Sequence, residues 1–198
     1  FERLEFLGDA VLRLAATEFI DQHYPNLPVG RCSSLRAQLV SDRWLTQLGD
    51  KLQLDSFLVL GPKALGDTTA KATLHADATE ALIGAIYSGS DNNLAPIHQW
   101  LTPHWQQTAT DVLATPHRFN GKSILQEWSQ AKGLGLPNYT TTEQSSRHGD
   151  PERFKSHVEV GTELGADGFG GSRKDAEQNA AAEAVESLQK TENIYFEN

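Results

Sequence analysis

The apolar pattern of this chain changes near residue 115, and that change constrains the fold more than any other feature of the sequence. Before it, apolar residues recur at the spacing of one helix face, as they do throughout segment 2–24. After it, residues 154–160 alternate between apolar and polar, which is the pattern of a half-buried strand. We therefore expect an all-α half followed by a half that contains a sheet.

The first half is predicted to be helical, because no strand-like alternation occurs in it. Pro25 and Pro28 end the first helix, since proline cannot continue one. Gly49 ends the second helix in the same way that glycine ends many helices. The predicted helices are residues 2–24, 33–48, 50–60, 74–88 and 93–113, and residues 61–70 are predicted to form a loop.

The second half follows a predicted linker at residues 114–118, which contain a proline and polar residues. Its predicted elements are a helix at 123–132, strands at 139–144, 154–160 and 163–170, and a helix at 172–188. The order α-β-β-β-α predicts a small α+β domain with two helices on one face of an antiparallel sheet.

The composition restricts the class of protein. The net charge of −9 argues mildly against nucleic-acid binding, so such a function must rest on local placement of positive charge. No run of eighteen apolar residues is present, so no membrane span is expected. Cys32 is the single cysteine, which favours a reducing compartment, and a cytoplasmic location is predicted.

Both ends of the sequence have a bearing on domain boundaries. The chain contains no methionine and begins inside an apparent helix, so we expect residues 1–115 to be a domain that is truncated at its N-terminus. Residues 118–190 are expected to form the second domain. Residues 191–198 have the character of a tag and are expected to be a tail outside the fold.

Acidic residues in the first helix share one face. Glu2, Glu5 and Asp9 stand at i, i+3 and i+7, and one alternative is a solvated acidic surface. Gly8 argues against that alternative, because glycine inside a helix costs roughly 1 kcal/mol relative to alanine, so we expect a close approach there. A second pair, Asp77 and Glu80, lies on another helix that is otherwise rich in Ala, Leu and Ile.

The two acidic pairs would form a site of oxygen ligands if their helices pack together. Carboxylates and water around Mg²⁺ are the usual means of activating a water molecule against a phosphodiester. Neither histidine nor thiolate is required, and His75, which lies near the second pair, is interpreted as a packing or surface residue.

Three segments of the first half carry a resemblance to a known family. ERLEFLGDAVL at residues 2–12 and ADATEALIG at residues 76–84 are similar to the two acidic motifs of the ribonuclease III family, and SLRAQLV at residues 34–40 resembles the helix between them. The resemblance implies an all-α endonuclease domain. It implies that the catalytic and metal-binding carboxylates are Glu5, Asp9, Asp77 and Glu80, and that Glu2 helps to bind RNA or to hold the site.

The resemblance also implies a homodimer in which Phe6 inserts into the partner subunit. The alternative for Phe6, an ordinary place in the core of its own chain, stays open at this point. The sequence departs from the family at Val29, where a glutamate is common, and in segment 61–71, which lacks the usual glutamate and paired glycines.

The second half resembles a double-stranded-RNA-binding domain. The similar segments are residues 123–128, 136–139 and 170–181. Gln126 can donate to and accept from a 2′-hydroxyl, and Arg173 and Lys174 stand at the start of the last helix, where the N–H groups favour a phosphate. For His148, contact with the minor groove and a solvated surface position are both open. The residues implied to bind RNA are Ser123, Gln126, Glu127, His148, Ser172, Arg173 and Lys174.

Together the two resemblances imply a metal-dependent endoribonuclease of double-stranded RNA. Its products would carry 5′-phosphates and short 3′ overhangs. Its substrates would include rRNA and mRNA precursors, and Mg²⁺ would be the metal, with Mn²⁺ able to substitute. One alternative is a scaffold that binds duplex RNA without cutting it. A second is a phosphohydrolase of small substrates, which the appended RNA-binding half disfavours.

Overall fold

The structure is a computed structural model that describes residues 1–58, 68–147, 149–162 and 164–192. Within these ranges, the side chains of residues 55, 68–72, 116–117 and 192 are not described. The chain divides into two compact units, Phe1–Leu113 and Ala114–Asn198. None of the described helices is long and apolar enough to cross a membrane.

All of the described secondary-structure elements of the first unit are helices, as predicted. Its helices are α1 (Glu2–His23), α2 (Val29–Leu39), α3 (Asp42–Lys51), α4 (Thr68–Gly89) and α5 (Ala95–Ala114), with a 3-10 turn at Leu54–Ser56. Residues 68–70 of the predicted loop belong to α4, which begins earlier than predicted. Residues 61–67 of this loop lie outside the described residues. The departures from the family pattern in segment 61–71 also fall there.

The prediction of one helix at 33–48 is wrong, because two helices, α2 and α3, occupy this region. Ser41 separates them: its backbone is extended and its hydroxyl accepts a hydrogen bond from the N–H of Trp44 at 3.2 Å. A serine in this position satisfies an N–H group that would otherwise lack a partner, so it starts a new helix. The predicted helix at 50–60 is likewise wrong for residues 50–58, since α3 continues to Lys51 and a 3-10 turn follows at Leu54–Ser56. Residues 59 and 60 lie outside the described residues.

The core of the first unit is built around Trp105 of α5, which is fully buried. Its Nε1 donates to the carbonyl oxygen of Leu39 on α2 at 3.2 Å, and its ring centroid lies 5.4 Å from that of Phe19 on α1. Trp44 of α3 stacks on the same ring at 6.1 Å. One aromatic residue thus joins four helices, and its buried N–H is satisfied.

Helix α3 also packs closely on α4. A Cβ on Gly49 would lie 3.1 Å from Thr79 Oγ1, and Thr79 donates to the carbonyl oxygen of His75 at 2.7 Å. His75 is buried, and its Nδ1 lies 2.8 Å from Asp50 Oδ1. His75 therefore belongs to the packing of these helices, in agreement with its interpretation from the sequence.

The second unit has the predicted α-β-β-β-α order. Its elements are α6 (Pro116–Ala131), β1 (Asn138–Glu143), β2 (Phe154–Val160), β3 (Leu164–Gly170) and α7 (Arg173–Glu192). The linker predicted at 114–118 is wrong in most of its length, because α6 begins at Pro116 and bends at Asn120. Proline is favoured in the first turn of a helix, and here it starts one.

The described strands form an antiparallel sheet in the order β1-β2-β3, with Tyr139 opposite Val158 and Val158 opposite Ala166. Both helices cover one face of it, and the core contains Leu125 of α6 and Val185 of α7. A Cβ on Gly168 would overlap the backbone of α7 at Ala180. Small residues therefore let α7 lie directly against β3.

Helix α7 continues to Glu192 and so includes the first two residues of the segment that was predicted to be a tail. Residues 193–198 lie outside the described part of the chain. The tail remains a prediction.

Candidate functional site

Helices α1 and α4 touch through their backbones. A Cβ on Gly8 would overlap the carbonyl group of Glu80, and a Cβ on Gly84 would overlap the carbonyl oxygen of Leu4. The close approach that Gly8 predicted is therefore present. The second glycine at this contact, Gly84, lies in the other acidic motif. The sequence alone did not indicate that Gly8 and Gly84 lie at the same contact.

We expect Gly8→Ala to destabilise the protein, although alanine favours helix formation by about 1 kcal/mol. The added methyl group meets backbone that cannot rotate away, and overpacking of this kind costs about 1–3 kcal/mol or more. Urea unfolding should show a net loss of free energy of unfolding. Gly89→Ala is the matched control, because Gly89 is the last residue of α4 and nothing lies within 4 Å of a Cβ placed on it. Equal stability of the two variants would contradict the close contact.

The four predicted carboxylates are brought together by this crossing. Glu5 and Asp9 on α1, and Asp77 and Glu80 on α4, are all partly buried. Burial, together with the negative charges of Asp9, Glu5 and Asp77, raises the pKa of Glu80 to about 7. A carboxyl group whose pKa is raised by neighbouring carboxylates lies in a region of concentrated negative potential.

Asp42 adds a fifth carboxylate from a third helix. Its charge contributes to the raised pKa of Glu80, and, after burial, it raises the pKa of Asp77. Asp42 was not predicted as part of the site, because the apolar pattern of the sequence predicted a continuous helix through residue 42. The available signal was Ser41, whose capping role makes Asp42 the first residue of α3.

The chemistry of this group fits a hard divalent cation. Among the described residues, no three His, Cys, Asp or Glu side chains already enclose a point from which all could bind a metal ion, and Asp9 accepts a hydrogen bond from Arg13 Nε at 2.8 Å. The charged groups that raise the pKa of Glu80 are nevertheless all carboxylates, and carboxylate oxygen is the ligand type that Mg²⁺ and Mn²⁺ prefer. A cation among them would offset the repulsion that raises the pKa of Glu80.

Phe6 is 81% exposed, which excludes the alternative that it belongs to the core of its own chain. It shares a face of α1 with Ala10 and Leu14, at i, i+4 and i+8, and Leu14 is 51% exposed. Val29, at the start of α2, is 81% exposed as well. Phe6, Ala10 and Leu14 thus form an exposed apolar stripe along α1.

In the second unit, Ser123, Gln126 and Glu127 lie on the solvent-facing side of α6. Their spacing of i, i+3 and i+4 puts them on one face, while Leu125 points into the core. Three of the residues implied to bind RNA are thus accessible together.

The start of α7 presents the predicted positive charge. Arg173 and Lys174 are exposed, and neither forms an ion pair with another described residue. Ser172 caps the helix: its hydroxyl accepts from the N–H of Asp175 at 3.1 Å and donates to the Asp175 carboxylate at 2.7 Å. Ser172 therefore has a structural role in the free protein, and Asp175 offsets part of the positive charge.

An ion pair joins α6, which carries Ser123, Gln126 and Glu127, to α7, which begins with Arg173 and Lys174. Lys122 of α6 forms an ion pair of 2.7 Å with Glu177 of α7, and Glu177 also accepts from Thr141 at 3.3 Å. Lys122 lies 4.4 Å from the centre of the Tyr139 ring. The bond spans α6 and α7 and so helps to fix the separation of the two exposed faces.

Two further predicted RNA-binding residues are Glu2 and His148. Glu2 is exposed at the start of α1 in the first unit. His148 lies outside the described residues, and its contact with RNA stays a prediction.

The described parts define a two-part protein, in which packed helices carry a group of carboxylates and a second unit of α-β-β-β-α order presents exposed cations at a helix start. Residues 2–91 match the ribonuclease III domain, and residues 122–188 match the double-stranded RNA binding motif. The chain belongs to the ribonuclease III family, whose members are endoribonucleases that act on double-stranded RNA.

Curated relatives match along nearly the whole chain. Ribonuclease 3 of Prochlorococcus marinus is 50% identical over 187 residues, which are 94% of this chain and 75% of the relative. A protein named Ribonuclease 3 2 of Synechocystis is 40% identical over 188 residues, which are 95% and 77% of the two chains. A solved structure of Dicer from Pichia stipitis has a TM-score of 0.48 and 27% identity, with coverage of 94% of this chain and 86% of that one.

Proposed function

We propose that this chain hydrolyses phosphodiesters in both strands of duplex RNA at the carboxylate group, leaving 5′-phosphates and short 3′ overhangs. The observation that supports this best is the convergence of Glu5, Asp9, Asp77 and Glu80 from α1 and α4, which raises the pKa of Glu80 to about 7. A cluster of like charges held by backbone contact is unfavourable unless it binds a cation. In the proposed division, residues 1–115 form the catalytic domain and residues 118–190 the RNA-binding domain.

The four carboxylates would hold Mg²⁺, or Mn²⁺ in its place. When bound, such a cation lowers the pKa of a coordinated water and neutralises charge that develops on the phosphate. The chain itself supplies the fixed positions of the oxygens, through the backbone contact at Gly8 and Gly84. Glu80 would have to be ionised to act as a ligand.

The second unit would confer the preference for duplex RNA. Its two exposed faces, on α6 and at the start of α7, are suited to the minor groove and to phosphates across the major groove. Duplex RNA is recognised in this way by shape and by 2′-hydroxyls, so structured rRNA and mRNA precursors are suitable substrates.

Replacing both Arg173 and Lys174 with alanine is expected to weaken duplex binding without regard to sequence. Each lost phosphate contact should lower the slope of log K against log salt by about 1. Binding titrations at several salt concentrations measure this slope. Cleavage at low salt should persist, because the carboxylate group lies in the first unit. A slope identical to that of the parent protein would show that these side chains do not contact phosphate.

We also propose that the active form is a homodimer with Phe6 in its interface. Cutting both strands at staggered positions requires two sites in fixed relation, and a two-fold dimer supplies them. The exposed stripe of Phe6, Ala10 and Leu14 borders Glu5 and Asp9 on the same helix. Burial of this stripe against a partner would place the interface beside the carboxylates.

Incubation of the protein with a long duplex RNA, with and without Mg²⁺, tests the proposed activity. We expect short duplex products with 5′-phosphates in the presence of Mg²⁺ and no cleavage with EDTA. Single-stranded RNA of the same sequence is the control substrate. Tight binding of an uncleaved duplex in Mg²⁺ would instead favour the non-cleaving scaffold.

A further inference from the structure

Two arginines meet on one aromatic ring at the end of the sheet. The guanidinium carbon of Arg153 lies 5.2 Å from the centre of the Phe154 ring, and that of Arg173 lies 5.5 Å from the same centre. Phe154 is only partly buried. The face of an aromatic ring attracts cations, so Phe154 attracts two positive groups that would otherwise repel each other.

Arg153 is oriented by Glu143 as well as by the ring. Its Nε donates to Glu143 Oε1 at 2.9 Å, and its Nη2 lies 2.8 Å from the same oxygen. An arginine has five N–H donors, so this contact leaves donors on Nη1 for another acceptor. The Arg153 side chain is 30% exposed, and solvent therefore reaches it.

The other nearby cation, Lys155, has a different environment. Ser156 next to it is buried towards the helices, so Lys155 points to the opposite face of the sheet. There it forms an ion pair of 2.7 Å with Asp167. Lys155 is thus a neighbour of Arg153 in sequence that does not share its surface.

We propose that Arg153 binds an RNA phosphate beside Arg173, so that the phosphate-binding surface extends from the start of α7 across Phe154 to the end of β1. This inference rests on the proposed binding of duplex RNA by the second unit. Two arginines held on one ring present several N–H donors in a fixed arrangement, which suits the oxygens of a phosphate. The Glu143 carboxylate keeps Arg153 in place and, at the same time, offsets part of its charge.

The test measures the affinity for a blunt duplex RNA over a series of salt concentrations. Arg153→Gln should weaken binding by roughly fivefold at low salt and lower the salt slope by about 1. Glu143→Gln should act in the opposite direction, because its amide oxygen still accepts from Arg153 while one negative charge is removed. We expect it to tighten binding by roughly twofold at low salt. Lys155→Gln, the matched loss of one cation, should leave the slope unchanged.

The double replacement of Arg173 and Lys174 serves as the reference in the same assay. If Arg153→Gln behaves like Lys155→Gln while the reference loses affinity, the inference is overturned and the proposed RNA binding stands. If the reference also retains its slope, the proposed binding mode fails with it. If Arg153→Gln proves unstable in thermal unfolding, Glu143→Gln provides the test of the role of Arg153. Unchanged or weaker RNA binding by a folded Glu143→Gln protein would overturn that role.

Discussion

Glu80→Gln is expected to abolish cleavage of duplex RNA while duplex binding stays unchanged. The substitution keeps the size of the side chain and removes the charge that a metal ligand requires. Since carboxylates from α1, α3 and α4 act on this position, we expect a loss of roughly 10³-fold in cleavage rate. Single-turnover cleavage and a separate binding titration measure the two effects.

Glu80→Gln is also expected to change how the binding of Mg²⁺ depends on pH. In the metal-free protein the pKa of Glu80 is about 7, so protons compete with the metal below that value. Binding of Mg²⁺ should weaken as the pH falls through 7, and Glu80→Gln should lose that dependence. Glu18→Gln is the control on α1, because Glu18 pairs with His98 at 2.8 Å and can keep that hydrogen bond as an amide. Cleavage by Glu80→Gln within a few-fold of the parent rate would contradict the proposed site.

Phe6→Ala is expected to shift the protein from dimer towards monomer and to lose cutting of both strands at the same time. Truncation of an aromatic residue at the centre of an interface costs about 2–4 kcal/mol of binding free energy. This cost corresponds to a rise in the dimer dissociation constant of roughly 30-fold or more. Sedimentation velocity at micromolar concentration measures the oligomeric state. Cleavage of a duplex with one labelled strand at a time measures the cutting of each strand.

Phe57→Ala is the matched control for this prediction. Phe57 follows the 3-10 turn and is 77% exposed, so it is as accessible as Phe6 but does not belong to the stripe on α1. Its replacement should leave the dimer intact. A parent protein that sediments as a monomer and still cuts both strands would rule out the dimer, whereas a fully dimeric and active Phe6→Ala variant would remove only Phe6 from the interface.

The elements that the sequence predicted well are those whose pattern is local. Helix α1 shows its period over six turns and is ended by prolines, and β2 alternates over its full length, so both were predicted within a residue or two of Glu2–His23 and Phe154–Val160. The boundary between α2 and α3 was missed because it depends on one hydrogen bond of Ser41. A capping serine does not interrupt the apolar period that the prediction followed.

The carboxylate group was predictable only in part, for the same reason. Residues on one helix can be assigned to a face from their spacing, which gave the pairs on α1 and on α4. Asp42 comes from a third helix, and no local pattern shows that its charge reaches Glu80 and Asp77. The resemblance to a family gave the identity of the four carboxylates, and the packing gave their common environment.

The RNA-binding surface shows a similar limit. Arg173 and Lys174 were predicted from their place at a helix start, which is a local feature. Arg153 and Glu143 were missed because they meet through the register of β1 and β2, which places Glu143 opposite Phe154. The pairing of Arg153 with that carboxylate cannot be read from their separation along the chain.

The backbone contact between Gly8, Gly84 and the facing helices limits how this protein can change during evolution. Because main chain meets main chain, the separation of the carboxylates on α1 and α4 depends on peptide geometry rather than on any side chain that mutation can resize. Substitutions elsewhere on both helices can accumulate without moving these oxygens. Divergence within such a lineage should therefore spare the two glycines and fall on positions whose side chains can change size without altering this separation.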